Sequence, residues 1–149
     1  MGFEKLIESP IGKLTIVSDG EAVTALRFGD QTMGLPTCAI LERVAAELAE
    51  YFSGARRSFT VALNATGTEF QRAVWAALQE IPYGETASYA QVALRIGKPA
   101  ACRAVGNANN RNPLPILIPC HRVIGKDGSM TGYAGGIAIK EFLLRLEQQ

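Results

Sequence analysis

The spacing of the hydrophobic residues differs between the two parts of this 149-residue chain that meet close to residue 66. Before residue 30 apolar and polar residues alternate, as around Leu14 and Ile16, and Asp19-Gly20 supplies a hairpin turn. After residue 66, apolar residues recur at the period of a helix. Since strands and helices bury one face with different periods, the sequence predicts an N-terminal α/β lobe at 1–65 and a helical lobe at 66–149.

The N-terminal lobe is expected to hold a small antiparallel sheet and one helix. The predicted strands cover residues 3–8, 14–16, 23–28 and 58–63. The stretch 37–52 reads as a helix that ends at Gly54, because four apolar residues share one face: Leu41, Val44, Leu48 and Phe52.

The C-terminal lobe begins with Thr68 and Gln71, which have the spacing of a capping box. The helix that they open buries Phe70, Val74, Ala77 and Leu78. Residues 88–96 and 99–109, with Pro99 in the first turn of the second helix, fit a helix-turn-helix. A last helix from Gly136 carries Ile139, Phe142, Leu143 and Leu146 on one face. The fold class is therefore α+β, with the N-terminal lobe packed on the helical lobe.

The charges are unevenly distributed. From Thr86 to Lys126 there is no acidic residue, and the segment carries +6, whereas the rest of the chain carries −5. The six cations are Arg95, Lys98, Arg103, Arg111, Arg122 and Lys126. Such a block indicates a surface for a polyanion, although chance clustering on a solvated surface gives the same pattern.

The second helix of the pair has an unusually small-sided surface, with Arg103 as its one long side chain among Ala100, Ala101, Cys102, Ala104, Gly106 and Ala108. Small residues allow a helix to approach the minor groove of DNA, which is about 6 Å wide. Close helix–helix packing also favours small residues, so both interpretations stand at this point.

Cysteine content and hydropathy bear on the compartment. The three cysteines, Cys38, Cys102 and Cys120, are odd in number and lack a CxxC spacing, which favours a reducing environment. No apolar run approaches the roughly 18 residues of a membrane span, and the N-terminus lacks the apolar stretch of a signal peptide. We expect a cytoplasmic protein without membrane contact.

The segment 113–123 contains the candidate reactive residues. Apolar residues between prolines lead to Cys120 and to His121, the only histidine. A neighbouring imidazole can take the proton of a thiol and so create the nucleophilic thiolate. A Cys-His pair by itself, however, is more often a small buried residue beside a polar one.

At this point the sequence resembles the O6-alkylguanine-DNA alkyltransferases, or methylated-DNA–protein-cysteine methyltransferases. The resemblance is strong over 66–147 and weaker over 1–65. It is carried by Asn112-Pro113, Ile118-Pro119-Cys120-His121-Arg122-Val123, Gly132-Tyr133-Ala134-Gly135-Gly136 and Lys140-Glu141, and upstream by 68–75 and 81–89. The resemblance implies a ribonuclease H-like N-terminal lobe and a winged helix-turn-helix-like motif.

The resemblance also implies roles for single residues. Cys120 would accept the alkyl group, and His121, oriented by Glu147, would act through a water as its base. Asn112 would form a buried hinge, and Tyr89 would turn the target phosphate and donate a proton towards the departing guanine. Arg103 would fill the gap left by a flipped nucleotide. The base pocket would be lined by Tyr133, Ala134, Gly135 and Pro115, and the DNA-binding surface by Ala101, Cys102, Ala104, Gly106, Asn107, Arg111 and Arg122.

The implied activity is direct reversal of DNA damage. The protein would flip O6-alkylguanine, with O4-alkylthymine as a second candidate, out of duplex DNA and transfer the alkyl group irreversibly to Cys120. It would act once, as a monomer, and without a cofactor. Some relatives bind zinc in the N-terminal lobe, but Cys38 is its only Cys or His here, so no metal is expected.

One departure and three alternatives remain at this stage. The family often has Ser at the position of Ala134, so we expect a missing hydroxyl contact to O6 and slower transfer. A non-catalytic damage-binding relative would replace Cys120, usually with Trp. A helix-turn-helix regulator would not need the Cys-His segment. A cysteine hydrolase usually recruits a distant histidine, and none exists here.

Overall fold

The computed structural model describes residues 2–130 and 132–149 and has an α+β architecture. The chain divides into two compact units, residues 1–66 and residues 67–149. The first unit contains a three-stranded sheet and a helix, and the second contains four helices and a short parallel strand pair. The boundary predicted near residue 66 therefore separates a unit with a three-stranded sheet from a unit that is mainly helical.

The sheet of the first unit is an antiparallel meander of β1 (Phe3–Ile7), β2 (Leu14–Ser18) and β3 (Val23–Phe28). The turn between β2 and β3 is held by the Asp19 carboxylate, which accepts hydrogen bonds from the backbone N–H groups of Glu21 and Ala22. The strands predicted at 3–8 and 23–28 and the hairpin turn are confirmed.

Helix α1 (Ala39–Phe52) packs on this sheet. Leu41, Val44 and Leu48 are buried as expected, but Tyr51 replaces Phe52 as the fully buried aromatic residue at the end of the helix. The rings of Phe52 and Phe59 both pack against the ring of Tyr51, with centroids 5.4 and 5.5 Å away. A stripe at 3.6-residue spacing drifts around the helix, and the last turn therefore buries the neighbouring position.

The strand expected at 58–63 is wrong. Residue 63 forms only an isolated parallel bridge with Val23, beside a hydrogen bond from the N–H of Val23 to the carbonyl of Ala62. The carboxylate of Glu47 accepts hydrogen bonds from both the backbone N–H and the hydroxyl of Thr60. Because the N–H of Thr60 bonds to a side chain, it cannot extend a strand ladder.

The second unit begins with α2 (Glu69–Gln79), and the capping box of Thr68 and Gln71 is confirmed. The buried face of α2 includes Trp75, whose indole N–H donates to the carbonyl of Ala108 at 2.9 Å. A second capping box, which the sequence analysis missed, joins Ser88 and Gln91 at the start of α3. The signal was present, since Ser88-x-x-Gln91 has the same spacing.

The helix-turn-helix consists of α3 (Tyr89–Arg95) and α4 (Cys102–Asn110), and both pack against α2. Pro99 lies in the turn between them rather than in the first turn of α4, so that expectation is wrong. The turn begins at Gly97, which has a φ of 76°. This left-handed conformation favours glycine and ends α3.

Two very short strands join the helix-turn-helix to the Cys-His segment. β4 (Ala87–Ser88) pairs in parallel with β5 (Val123–Ile124), with Ala87 opposite Val123. One 3₁₀ turn, Cys120–Arg122, precedes β5, and α5 (Ile137–Leu146) follows. The parallel pair therefore fixes the start of α3 beside the end of the Cys-His segment.

Within residues 2–130 and 132–149, no helix has the length and apolar character needed to cross a membrane.

Candidate active site

The segment that leads to Cys120 is buried and tightly turned. All residues from Leu114 to Val123 are buried. The N–H of Ile118 donates to the carbonyl of Leu114 at 2.8 Å, and Ile116 has a φ of 75°. A β-branched residue in this left-handed region is strained, and the surrounding packing must hold it there. The apolar approach segment predicted between the prolines thus exists as a fixed loop rather than a strand.

Asn112 ties this loop to the end of α4. Its Nδ2 donates to the carbonyl of Ile118 at 2.8 Å, and its Oδ1 accepts from the N–H of Leu114 at 2.9 Å. The same side chain hydrogen-bonds to the thiol of Cys120. Asn112 therefore ties the loop that carries Cys120 to the residues that follow α4.

Cys120 is buried, with 4% of the residue exposed. Burial raises its pKa to about 11, against smaller lowering effects of the hydrogen bond from Asn112 and the charge of Lys140. At neutral pH the sulfur is protonated. Reaction as a nucleophile consequently needs a base nearby.

His121 follows Cys120 directly in the chain and is a candidate for that base. The side chain is 0% exposed, and its Nε2 lies 2.7 Å from Oε2 of Glu147. Burial lowers the pKa of His121, and Glu147 only partly opposes the shift, so the imidazole is neutral at pH 7. Among the described residues none hydrogen-bonds to Nδ1. With Nε2 bonded to the carboxylate, Nδ1 is the nitrogen available to take a proton.

Arg122, which the sequence analysis placed on the DNA-binding surface, lies buried beside Glu147. The residue is 7% exposed and donates two hydrogen bonds to Glu147, from Nε to Oε1 at 2.8 Å and from Nη2 to Oε2 at 3.0 Å. A third bond joins Nη1 to the carbonyl of Ile81 at 2.7 Å. All three nitrogens of the guanidinium are therefore engaged within the protein in this structure.

Lys140 is a second buried cation that the sequence analysis did not assign. Its side chain is fully buried, and Nζ donates to the carbonyl of Val123 at 2.7 Å. Burial lowers its pKa, which the nearby Cys120 sulfur partly restores. The Lys140-Glu141 motif marked the residue, but only the fold shows that its ammonium lies close to the nucleophile.

The loop before α5 lies beside this centre. Burial raises the pKa of Tyr133 well above 10, and the charges of Cys120 and Glu147 add to the shift. Ala134 is exposed, Gly135 is half-buried and Pro115 is buried. The structure therefore brings Tyr133 to the nucleophile and leaves Ala134 at the surface of the described loop.

Tyr89 and α4 form the neighbouring surface. The ring of Tyr89 lies against Gly106, 3.8 Å from the point that a Cβ would occupy there. Most predicted DNA-binding residues are exposed or half-exposed, namely Ala101, Cys102, Arg103, Ala104, Gly106, Asn107 and Arg111. Val105 and Ala108 fill the buried face. Since most of the small residues point outward, helix–helix packing does not explain them.

The acid-free block is less basic in the folded chain than in the sequence. Arg95 pairs with Glu80 at 3.0 Å, and Arg122 is neutralised by Glu147. Lys98, Arg103, Arg111 and Lys126 are exposed and make no ion pair within the described part of the chain. Four cations, rather than six, remain available to an external anion.

No group of three or more His, Cys, Asp or Glu side chains that could hold a metal ion occurs in residues 2–130 and 132–149.

Comparison with known proteins agrees with this geometry. Residues 3–65 match the ribonuclease-like domain of 6-O-methylguanine DNA methyltransferase, and residues 69–149 match its DNA-binding domain. A methylated-DNA–protein-cysteine methyltransferase of Methanosarcina barkeri is 51% identical over 96% of this chain and 95% of its own.

Two solved structures extend the match to three dimensions. The O6-methylguanine methyltransferase of Mycobacterium tuberculosis is 46% identical and superposes with a TM-score of 0.91 over 99% of this chain and 93% of that one. Mycobacterium tuberculosis OGT in complex with DNA gives 46% identity and a TM-score of 0.90 over 98% and 92%. The chain therefore belongs to the 6-O-methylguanine DNA methyltransferase family.

Proposed function

We propose that this protein repairs DNA by moving an alkyl group from O6 of guanine to its own Cys120. The observation that carries the proposal is the buried thiol of Cys120 next to a buried, neutral His121. One of the two ring nitrogens of His121, Nε2, is held by the carboxylate of Glu147. The names of the curated relatives support the same reaction. A regulator of the helix-turn-helix class would need neither the thiol nor its base.

The first step is removal of the thiol proton. We take the path to run from Sγ of Cys120 through one bound water to Nδ1 of His121, which has no hydrogen-bond partner among the described residues. The imidazolium that forms is stabilised by the carboxylate of Glu147 at 2.7 Å. Arg122 holds that carboxylate in place through two charge-assisted hydrogen bonds.

The second step is displacement at the alkyl carbon. The Sγ–C bond forms as the C–O6 bond breaks, and the electron pair of that bond passes to the purine. The purine takes up one proton, so the products are ordinary guanine and an S-alkyl cysteine. A thioether is stable to water, and no described group can remove the alkyl carbon from sulfur. Each molecule acts once.

The base must leave the duplex because O6 faces the base pair, and the buried Sγ cannot enter the stack. We assign extrusion to α4 and Tyr89. Exposed small residues on α4 let the helix approach the groove, and Arg103 fills the space left by the base. O4-alkylthymine is a second candidate substrate, with the same displacement chemistry at its alkyl carbon.

The direct test is intact-protein mass spectrometry after incubation with a duplex that contains one O6-methylguanine. We expect the protein mass to rise by one CH₂ group, peptide mapping to place it on Cys120, and methyl transfer to stop at one equivalent per protein. An unmodified duplex is the control. No mass change, or turnover beyond one equivalent, contradicts the proposal.

Arg103→Ala should slow repair of duplex DNA much more than reaction with free O6-benzylguanine. Base flipping costs a few kcal/mol, and the guanidinium of Arg103 offsets part of it, whereas the free base needs no flipping. We expect roughly a 10- to 100-fold loss on the duplex and less than about twofold on the free base. Single-turnover rates with both substrates measure this. Equal losses would show that Arg103 supports the fold or the pocket.

DNA binding should depend moderately on salt. Each phosphate neutralised contributes about −0.9 to the slope of log K against log salt concentration. With four unpaired cations in the acid-free block, we expect a slope between about −2 and −4. Fluorescence anisotropy of a labelled duplex across salt concentrations measures it. A slope near zero would remove this block from the DNA-binding surface.

A further inference from the structure

We propose that Asn109 is a specificity-determining residue, which recognises guanine through its exocyclic amine. This inference rests on the proposed function. Asn109 lies in the last turn of α4 and is 1% exposed. Its Nδ2 donates to the backbone carbonyl of Cys120 at 3.3 Å. Its Oδ1 has no hydrogen-bond partner among the described residues.

The orientation of this amide is fixed by its neighbour. If the amide were turned over, Oδ1 would lie about where Nδ2 lies, facing the carbonyl oxygen of Cys120, and two acceptors would repel each other. The acceptor is thus held buried, beside the residue that takes the alkyl group. A buried carbonyl oxygen without a donor is unfavourable, so its presence points to a donor supplied by a ligand.

Asn112 provides an internal comparison. It is also a buried amide near Cys120, but its Nδ2 and its Oδ1 both have backbone partners. Both polar atoms of the Asn112 amide therefore have hydrogen-bond partners within the fold, whereas Oδ1 of Asn109 has none among the described residues. Two asparagines three residues apart in the chain thus differ in their capacity to bind a ligand.

The chemistry of the substrate identifies the donor. Asn109 bonds to the backbone carbonyl of Cys120, so a base whose O6-alkyl carbon reaches Sγ of Cys120 lies near Asn109. The proposed contact places the Watson–Crick edge of that base opposite Oδ1. Alkylation at O6 removes the hydrogen from N1 of guanine, so the amine at C2 is the remaining donor on that edge. O4-alkylthymine has only acceptors there. The unpaired Oδ1 of Asn109 therefore favours binding of O6-alkylguanine and disfavours binding of O4-alkylthymine.

The experiment compares duplexes with O6-methylguanine or O6-methylhypoxanthine, which lacks only the amine. For the wild-type protein we expect single-turnover transfer to be roughly tenfold faster from O6-methylguanine, as for one buried hydrogen bond. Asn109→Leu removes the acceptor at similar volume. The variant also loses the bond to the carbonyl of Cys120, which slows transfer from both duplexes alike. It should lose the preference as well, so the fall in rate should be roughly tenfold larger on O6-methylguanine than on O6-methylhypoxanthine.

Each result has one meaning. Equal wild-type rates on the two duplexes overturn the proposal without any variant, so a folding defect in Asn109→Leu cannot hide the answer. An equal loss on both duplexes in a variant with a normal unfolding midpoint assigns Asn109 to positioning Cys120 instead. No transfer by the wild-type protein from either duplex would overturn the proposed function itself.

Discussion

Cys120→Ser is expected to abolish alkyl transfer while DNA binding stays nearly the same. The serine hydroxyl has almost the volume of the thiol, so the buried loop around it should keep its packing. An alcohol is far harder to deprotonate than a thiol, and His121 cannot make it a useful nucleophile towards an alkyl carbon. We expect the transfer rate to fall by several orders of magnitude, with the DNA binding energy changed by less than about 0.5 kcal/mol.

The measurements are a single-turnover transfer assay and a binding titration on the same duplex. Cys38→Ser is the matched control, because Cys38 lies in the first unit, before α1, and makes no side-chain capping bond. It should transfer at the wild-type rate. Transfer near that rate by Cys120→Ser would remove Cys120 from its proposed role.

Arg122→Ala should be the most destabilising of the arginine substitutions. It removes two bonds to the Glu147 carboxylate and one to the carbonyl of Ile81, and it leaves a buried carboxylate without its cation. Breaking one side of a buried ion pair costs about 3–5 kcal/mol. We expect the free energy of unfolding, measured by urea titration, to fall by that amount, with slower transfer because Glu147 is no longer held.

Arg103→Ala is the comparison, since Arg103 is exposed and makes no ion pair within the residues described. A surface substitution of this kind changes stability by about 0.5 kcal/mol or less. If Arg122→Ala were equally harmless and instead weakened DNA binding, the residue would return to the DNA-binding surface where the sequence first placed it.

The fold was predictable where a local signal controls it. The Thr68 capping box, the strands of the meander and the helix pair each follow from spacing or turn chemistry within a few residues. The parallel pair of β4 and β5 was missed because two residues per strand carry no period. The segment 58–63 has the composition of a strand, but the carboxylate of Glu47 takes the N–H that pairing would need.

The sequence indicated which residues form the site, but it did not indicate which of them are buried or which contact one another. The family motifs include Arg122 and Lys140, yet the sequence gives no sign that either basic side chain is buried. Only the return of α5 brings Glu147 to Arg122, 25 residues away in sequence. Asn109 was passed over for a related reason, because the missing partner of its Oδ1 is visible only in the packed structure.

The left-handed backbone at Ile116 has a consequence for anyone who redesigns this protein. A rule that matches residue type to backbone angle would replace Ile116 with glycine and remove a conformational cost on the order of 1–3 kcal/mol. The same change would delete a fully packed side chain and free the peptide four positions before the sulfur. The substitution would relieve the backbone strain at residue 116 but leave the sulfur of Cys120 less firmly positioned. Ile116→Gly is therefore a poor choice for faster repair.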